Sequence, residues 1–347
     1  MVSIVGNVKP EDDLTHPLGP EQNFNESVYF NFFDRQKGRG GFIRIGNRAN
    51  EGYAEMTTII FDADGSVLFN YKKPDIDNND EWNAGGARVE ILTPGEQIRT
   101  VYDGSLLHMV EPRDMQDPGK AFKKNPFKKV TLDLMHFGVG PMYGHVGDAS
   151  DSNDFARAHY EQHMRVEGTL QVEGSEPLAI SGHGLRDHSW GPRYWQSIRS
   201  YRWITGNFGD DLGMVLSVVG DRQGGMFHRG DEFIRITNVD LETDYEPDTS
   251  FHRAMSARVE LENGESHLIE GRVKNFIPLR NRRSEAVTYI CEGMTSTDNR
   301  WRRHRIEKEF WRGSESIINI VRYYYDKHRN AQSKGLAKYT VKKLHKS

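Results

Sequence analysis

The chain has 347 residues, of which 46 are Lys or Arg and 50 are Asp or Glu, so its formal net charge is −4 with His neutral. This slightly acidic balance argues against a nucleic-acid partner, because binding to phosphate backbones relies on an excess of Lys and Arg. A hydrophobic share of 36% and 34 glycines are typical of a globular chain with many turns and exclude wholesale disorder.

Cysteine content and the absence of long apolar runs exclude further classes of protein. A single cysteine, Cys291, excludes an internal disulfide and a thiolate-rich metal site. No apolar run approaches the roughly 18 residues that a membrane-spanning helix needs, so no membrane span is expected. The first residues lack the basic and apolar segments of a secretion signal and turn acidic at Glu11. We therefore expect a cytoplasmic protein.

Short runs of alternating apolar and polar residues, separated by Gly, Asn and Asp, predict β-strands through the first half of the chain. These runs cover residues 41–47, 57–61, 66–69, 87–92, 98–102, 129–135 and 164–172. The sequence Asp62-Ala-Asp-Gly65 between two of them predicts a hairpin turn. Windows with helical spacing are rare, so we expect few and short helices.

Two stretches of low hydrophobicity interrupt these strands, at residues 75–83 and 139–153. The second is rich in Gly, Asp and Ser, and it predicts a domain boundary. Strands resume at 214–219, 233–238, 255–261 and 286–290, and β-branched residues favour a last strand over a helix at 317–325. The sequence therefore predicts an all-β fold with two domains, residues 1–155 and 156–347.

The densest group of reactive residue types is Ser181-Gly-His-Gly-Leu-Arg-Asp-His-Ser-Trp-Gly-Pro-Arg193. Its glycines let the backbone bend, so polar side chains can converge on one point. Asp187 beside His188 is a pair suited to acid–base catalysis, because a carboxylate can orient an imidazole and raise its pKa. Neighbouring residues on a regular strand face opposite ways, so the two touch only if the backbone bends, or each has a different partner.

A structural role for the same segment is the alternative. In this alternative, Arg186 and Asp187 form a buried ion pair that closes a barrel end, and the apolar side chain of Trp190 covers the pair. The two interpretations are compatible, because ion pairs commonly position a working residue.

A second polar cluster precedes the motif. On an extended strand, His159, Glu161 and His163 share one face. Two histidines and a carboxylate at that spacing could bind a metal, but a hydrogen-bonded polar face inside a barrel is favoured, so no metal is assigned. Glu161 and His163 are instead candidates for a second acid–base group.

Aromatic residues around the motif could line an apolar ligand pocket or fill a β-barrel core. The candidates for substrate contact are Trp190, Arg193, His183, Tyr194 and Trp195. No phosphate-binding glycine loop, zinc-protease motif or nucleophilic-serine motif occurs in the sequence, so no cofactor is expected.

The segment from Gly182 to Arg193 resembles a superfamily of two-domain lipocalin-like (calycin) proteins. This superfamily includes the hydroxyneurosporene and kievitone hydratases and, more distantly, tocopherol cyclase and the lipocalin-type pericyclases. The shared element is a glycine, an Asp-His pair and a Trp-Gly pair, which place Asp187 and His188 on the family's Asp-His. The run at residues 40–47 resembles an uncharacterised bacterial branch of the group.

The resemblance implies two lipocalin-like β-barrel or β-sandwich domains packed together, with a pocket near their junction. The predicted boundary at 155/156 places the motif in the C-terminal domain. The resemblance also implies protonation, hydration, cyclisation or isomerisation of apolar polyenes, terpenoids and phenolics, usually without an organic cofactor. Arg186 and Pro192-Arg193 depart from the family pattern.

Together these observations predict a cofactor-independent acid–base lyase, of hydratase, dehydratase or retro-aldol type, or an isomerase or cyclase. Its substrate would be a hydrophobic aromatic or terpenoid small molecule. Asp187 and His188 would exchange protons, and Arg186 or Arg193 would stabilise an oxyanion. The alternative is a non-catalytic carrier of a lipid or aromatic ligand. Exposed sheet edges would also permit a homodimer.

Overall fold

The computed structural model describes residues 2–147, 156–194, 201–247, 251–282, 287–292, 294–297 and 316–325. These residues form 22 β-strands, one α-helix and three short 3-10 helices. The predicted all-β fold with few helices is therefore confirmed. No helix among them is both long and apolar enough to cross a membrane.

The first sheet contains the strands that precede residue 193. They are β1 (Ile4–Gly6), β2 (Phe24–Asp34), β3 (Arg39–Arg48), β4 (Tyr53–Phe61), β5 (Val67–Lys72), β6 (Trp82–Ala84), β7 (Ala87–Thr93), β8 (Gln97–Met109), β9 (Phe127–Gly138), β10 (Met142–Val146), β11 (Ala158–Val172) and β12 (Leu178–Pro192).

Eight of these strands close into a ring. Their order is β11-β12-β2-β3-β4-β5-β8-β9, and the ring closes because β9 pairs with both β8 and β11. All eight pairings are antiparallel. Closure of this kind gives every strand two hydrogen-bonded neighbours and defines the first barrel.

Side chains of the first barrel alternate between its interior and its outer face, as the strand repeat requires. On β2, Val28, Phe30 and Phe32 belong to the interior core. Tyr29 and Phe33 belong to a separate apolar cluster outside the ring. All 11 residues of β2 are buried, because the outer face is covered as well.

The second sheet contains the strands from residue 201 onward. They are β13 (Tyr201–Asn207), β14 (Leu212–Val219), β15 (Arg222–Arg229), β16 (Glu232–Tyr245), β17 (His252–Leu261), β18 (Ser266–Val273), β19 (Ile277–Arg282), β20 (Val287–Glu292), β21 (Met294–Thr297) and β22 (Ser316–Tyr325). Eight of them also close into a ring, since β22 pairs with both β21 and β13. The expected strand at 317–325 is confirmed as β22.

Helical structure is short and peripheral. Helix α1 (Pro118–Lys124) begins after Asp117, whose side chain accepts a hydrogen bond from the Lys120 amide as an N-cap. The 3-10 helices cover Pro10–Asp13, Ala49–Glu51 and Pro112–Gln116. The last of these and α1 contribute Met115 and Ala121 to the apolar cluster outside the first barrel.

Two sequence expectations about the fold need correction. The stretch 139–153 was expected to interrupt the strands, but part of it forms β10, which pairs with β1 and β11 at the barrel edge. The motif was expected among the C-terminal strands, but β12 hydrogen-bonds to β11 and β2, so the motif lies in the first barrel. The chain therefore passes from the first sheet to the second after Pro192, between β12 and β13. The division into domains at 155/156 stays a prediction.

Candidate functional site

Strand β12 carries the motif between β11 and β2, and it presents alternate residues to the two faces of the barrel wall. Arg186 and His188 lie opposite Phe30 and Val28, two interior residues of β2. Asp187 lies opposite Tyr29, which belongs to the outer cluster. Asp187 and His188 therefore face opposite sides and take different partners, the second of the two arrangements that the sequence left open.

Inside the barrel, Arg186 is the centre of a buried network. Its Nη1 donates to Asp13 and, at 2.9 Å, to the Tyr160 hydroxyl, while Nε and Nη2 donate to Gln162 Oε1 at 2.9 and 2.7 Å. Burial raises the pKa of Asp13, but the charge and hydrogen bond of Arg186 outweigh it and lower that pKa. Arg186 is thus paired with Asp13 and lies on the other side of the barrel wall from Asp187.

His188 belongs to the same interior. Its Nε2 lies 3.0 Å from Glu26 Oε1, and that oxygen lies 2.6 Å from Nδ1 of His16. Burial opposes ionisation of Glu26, but hydrogen bonds from His16 and His188 outweigh it and lower the pKa of Glu26 to about 2. Trp190 stacks on His16 at 4.0 Å between ring centroids. Glu26 lies near the start of β2, and His188 and Trp190 lie near the end of β12. The ligand atoms of His16, Glu26 and His188 lie close enough together to hold a metal ion.

On the outer face, strand register brings a row of polar residues together. Glu161 of β11 lies opposite Asp187 of β12, Asp187 lies opposite Tyr29 of β2, and Tyr29 lies opposite Arg44 of β3. Residues directly opposite in antiparallel strands share a face and have adjacent side chains. His159, two residues before Glu161, lies on the same face.

We call His159, Glu161, Asp187 and Trp203 the junction cluster, because Trp203 reaches it from β13 of the second sheet. Trp203 Nε1 donates to Glu161 Oε1 at 2.6 Å. His159 Nε2 bonds to Asp187 Oδ2 and lies 3.7 Å from Glu161 Oε1. The side chains of His159 and Asp187 are 33% and 20% exposed, and that of Glu161 is 6% exposed. A small molecule can therefore reach the edge of a largely buried acid–base cluster.

The electrostatics of the cluster separate its two carboxyl groups. Burial raises the pKa of Glu161 to about 7, and the nearby Asp187 charge acts in the same direction. Burial also raises the pKa of Asp187, but the His159 charge outweighs it, so that pKa is lowered. The pKa of His159 is raised by Asp187 in spite of burial. Neighbouring carboxyl groups whose pKa values are pushed apart are typical of acid–base sites.

His163 takes different partners from His159 and Glu161. It is fully buried, its Nε2 lies 3.1 Å from the Met214 carbonyl oxygen, and its ring centroid lies 4.8 Å from that of His228. Burial lowers its pKa. The set on this face that could hold a metal ion is His159, Glu161 and Asp187, whose ligand atoms lie within 4.8 Å of one another. The predicted trio with His163 is not assembled.

The candidates for substrate contact are dispersed. Arg193 is buried and donates to Ser189 Oγ on the outer face. His183 Nε2 lies 2.7 Å from Asp210. Tyr194 is 44% exposed. Trp195 lies outside the described residues.

Sequence reasoning missed several residues of the buried network inside the barrel and of the polar row on its outer face. Among them, Glu26 had a detectable signal, because it interrupts the otherwise apolar alternation Phe24, Val28, Phe30, Phe32 of β2. Other missed residues are Asp13, His16, Arg44, Tyr160 and Gln162; they come together only through long-range pairing.

Three solved structures share the fold. CghA matches with a TM-score of 0.53 and 9% identity over 87% of this chain and 88% of CghA. Kievitone hydratase from Nectria haematococca matches with a TM-score of 0.52 and 10% identity over 86% of this chain and 88% of that chain. An AttH-like protein from Nitrosomonas europaea matches with a TM-score of 0.50 and 13% identity over 92% of this chain and 98% of that chain.

At these identities the likeness concerns the fold, and it agrees with the expected all-β fold of kievitone hydratase type. No curated protein matches the sequence. One family model does match, described as a domain of unknown function, DUF7064, and it covers residues 9–302. Because that match spans most of the chain, the protein belongs to the DUF7064 family.

Proposed function

We propose that the protein is an enzyme that transfers protons on a hydrophobic small molecule, as a lyase of hydratase or dehydratase type or as an isomerase. The observation that carries this proposal is Glu161, a buried carboxyl with a pKa raised to about 7, placed beside the Asp187–His159 pair at a partly exposed edge. A group that titrates near neutral pH can both give and take a proton during turnover.

The members of the junction cluster have different roles in the proposed reaction. Glu161 is the proton-exchanging group, and the Trp203 indole holds its carboxyl in place. Asp187 raises the pKa of His159. In an isomerisation, where proton removal by Glu161 leaves negative charge on the substrate, the protonated form of His159 stabilises that charge. In a hydration, Glu161 gives a proton to one alkene carbon, and the positive charge left on the other carbon is stabilised by the Asp187 carboxylate. Water adds to that carbon, and the proton that the added water releases returns to Glu161. This assignment replaces His188, which faces the barrel interior, with His159.

Aromatic side chains beside the cluster support a hydrophobic, aromatic substrate. The Tyr29 ring lies 5.4 Å from that of Trp203 and 5.0 Å from that of Phe42, between centroids. Tyr29 and Phe42 belong to the apolar cluster outside the first barrel, and Tyr201 packs against that cluster. Aromatic side chains next to a few polar groups are typical of sites that bind flat apolar ligands. Kievitone hydratase, which shares the fold, is by name an enzyme that adds water, and this supports the reaction class.

The test is a comparison of wild type, Glu161→Gln and Glu167→Gln on a panel of hydroxylated aromatic and terpenoid compounds. Glu167 lies on the same strand as Glu161, but its side chain is 51% exposed and pairs with Arg165, so Glu167→Gln is the matched control. Incubation in D2O followed by mass spectrometry detects gain or loss of water and also detects isomerisation, which incorporates deuterium without water transfer. A parallel series with a chelator shows whether turnover needs a metal.

We expect conversion by wild type and by Glu167→Gln, with a rate at least about 100-fold lower for Glu161→Gln, as is usual for loss of a general acid–base group. Equal rates for wild type and Glu161→Gln would refute the assignment. A ligand that all three proteins retain without conversion or deuterium uptake would favour the carrier interpretation instead.

A further inference from the structure

Three side chains near the start of β2 and the end of β12 bring ligand atoms to a common position. Glu26 Oε1 lies 2.6 Å from Nδ1 of His16 and 3.0 Å from Nε2 of His188. One ligand atom from each of the three residues lies within 4.8 Å of the others. Glu26 and His188 are buried, whereas the His16 side chain is 21% exposed. Solvent therefore reaches this group of residues through His16.

The other ring nitrogen of His188 is a hydrogen-bond donor. Its Nδ1 lies 3.2 Å from the Tyr160 hydroxyl. That hydroxyl donates its one proton to Asp13 and accepts from Arg186 Nη1, so it is an acceptor for His188 as well. Nδ1 of His188 therefore carries a proton. A neutral ring then presents an unprotonated Nε2 to the Glu26 carboxylate, and an atom with positive charge is needed between the two.

His16 also has an acidic group at each ring nitrogen. Its Nδ1 faces Glu26, and its Nε2 lies 3.6 Å from Asp12 Oδ1. A neutral ring has one proton for these two carboxylates. All the contacts of both rings are satisfied if each ring carries a second proton, or if one divalent cation lies between Glu26 Oε1 and the two facing nitrogens. Two positive rings 5.7 Å apart disfavour each other's charge, so the cation fits better.

Neighbouring groups hold these ligand atoms in place. Glu26 Oε2 accepts from Asn79 Nδ2 and, at 3.0 Å, from the His16 amide. The His16 ring stacks on Trp190. The outer nitrogens of the two rings have the hydroxyl and carboxylate partners described above. Histidines that bind metals are commonly oriented in this way, through a partner on the nitrogen that does not bind the ion.

We propose that His16, Glu26 and His188 bind a divalent transition-metal ion of the zinc type. Two imidazole nitrogens and one carboxylate oxygen are a ligand set that Zn²⁺ takes in proteins, with a fourth position left for water. Mg²⁺ prefers oxygen ligands alone. The ion joins the segment before β2 to β2 and β12, so it stabilises the first barrel. The junction cluster lies on the other face of the barrel wall, so this site is separate from the proposed function.

Isothermal titration calorimetry with ZnCl2 and with MgCl2 tests the site in the untagged full chain, after removal of metal by a chelator and desalting. His16→Phe is the first variant, because it keeps a ring against Trp190 and removes both nitrogens. Glu26→Gln is the second and keeps the shape of the side chain. One control is His108→Phe, which changes a half-buried histidine of β8. The other is Glu161→Gln, which removes a carboxyl group from the junction cluster.

We expect wild type and both controls to bind Zn²⁺ equally well and to bind Mg²⁺ far more weakly. His16→Phe and Glu26→Gln should each bind Zn²⁺ at least about 100-fold more weakly, because loss of an outer partner alone costs roughly 10- to 100-fold. Zn²⁺ should also raise the melting temperature of wild type and of Glu161→Gln, but not that of His16→Phe.

The inference is overturned if wild type binds Zn²⁺ no more tightly than His16→Phe does. Binding that is lost in Glu161→Gln and retained in His16→Phe and Glu26→Gln also overturns it, because the ion would then lie in the junction cluster. His16 lies outside the strands and is partly exposed, so His16→Phe decides the matter if Glu26→Gln does not fold.

Discussion

Replacement of Glu161 by Gln should change how the stability of the protein depends on pH. In the folded protein the pKa of Glu161 is raised from 4.5 to about 7, because the carboxyl is buried beside Asp187. Between those two values the folded state keeps a proton that the unfolded state has lost. The free energy of unfolding therefore falls as the pH rises through this range, and the group contributes no further change above it.

The size of the effect follows from the shift. One pKa unit corresponds to about 1.4 kcal/mol, so the whole shift from 4.5 to about 7 is worth about 3.4 kcal/mol. The part of it that is lost between pH 5 and pH 8 lowers the free energy of unfolding by about 2.5 kcal/mol, because part of the change falls below pH 5. Gln cannot ionise, so Glu161→Gln should lack this loss. Relative to wild type, the variant should gain about 2.5 kcal/mol over the same interval.

Urea denaturation at pH 5 and at pH 8 measures the difference directly, with tryptophan fluorescence and circular dichroism as independent probes of a two-state transition. Other titrating groups are common to both proteins and largely cancel in the comparison. Glu167→Gln, which removes an exposed carboxyl from the same strand, is the control and should behave as wild type. Parallel pH dependence in wild type and Glu161→Gln would refute the claim that Glu161 is protonated near neutral pH.

Three further predictions concern the barrel interior and the tryptophan contact. Asp13→Asn leaves the buried Arg186 charge without its partner and should cost about 3 to 5 kcal/mol in urea denaturation; a loss below 1 kcal/mol would contradict that pairing. The pKa of Glu26 is lowered to about 2, so its contribution of about 3 kcal/mol to the free energy of unfolding is present above pH 4.5 and is lost as the pH falls toward 2. In an acid titration, Glu26→Gln should lose less stability than wild type over this pH range, and an equal loss in both proteins would count against the prediction. Trp203→Phe removes a hydrogen bond that lowers the pKa of Glu161. The pH profile of turnover by this variant should therefore lie at higher pH than that of wild type, and a shift to lower pH would be inconsistent with the contact.

Local pattern was enough to predict many of the strands and the turn between two of them. The hairpin at Asp62-Ala-Asp-Gly65 is confirmed, with Gly65 at φ +93° and a hydrogen bond from the Asp62 amide to the Ser66 carbonyl at 3.0 Å. The strand repeat also predicted correctly that His159 and Glu161 share a face. These are properties of neighbouring residues, which the sequence displays directly.

The composition of the candidate site depends on pairing between distant strands, which local pattern does not specify. Register places Asp187 beside Glu161 and, on its other side, Tyr29. A shift of one residue would instead have turned His188 to the outer face. The emphasis on His188 came from its position next to Asp187 in the sequence, whereas in the fold its partner is Glu26.

The buried contacts at the barrel end also constrain how the chain can acquire its structure. Asp13 and Arg186 are 173 positions apart in sequence, and Glu26 and His188 are 162 apart. Strand β2 cannot complete its pairing until β12 has left the ribosome, so the first barrel closes only when more than half of the chain has been made. Contacts with such long sequence separation are typical of slow folding. Until β12 has been made, β2 can pair with β3 but not with β12, so one edge of β2 stays without its hydrogen-bond partners during synthesis.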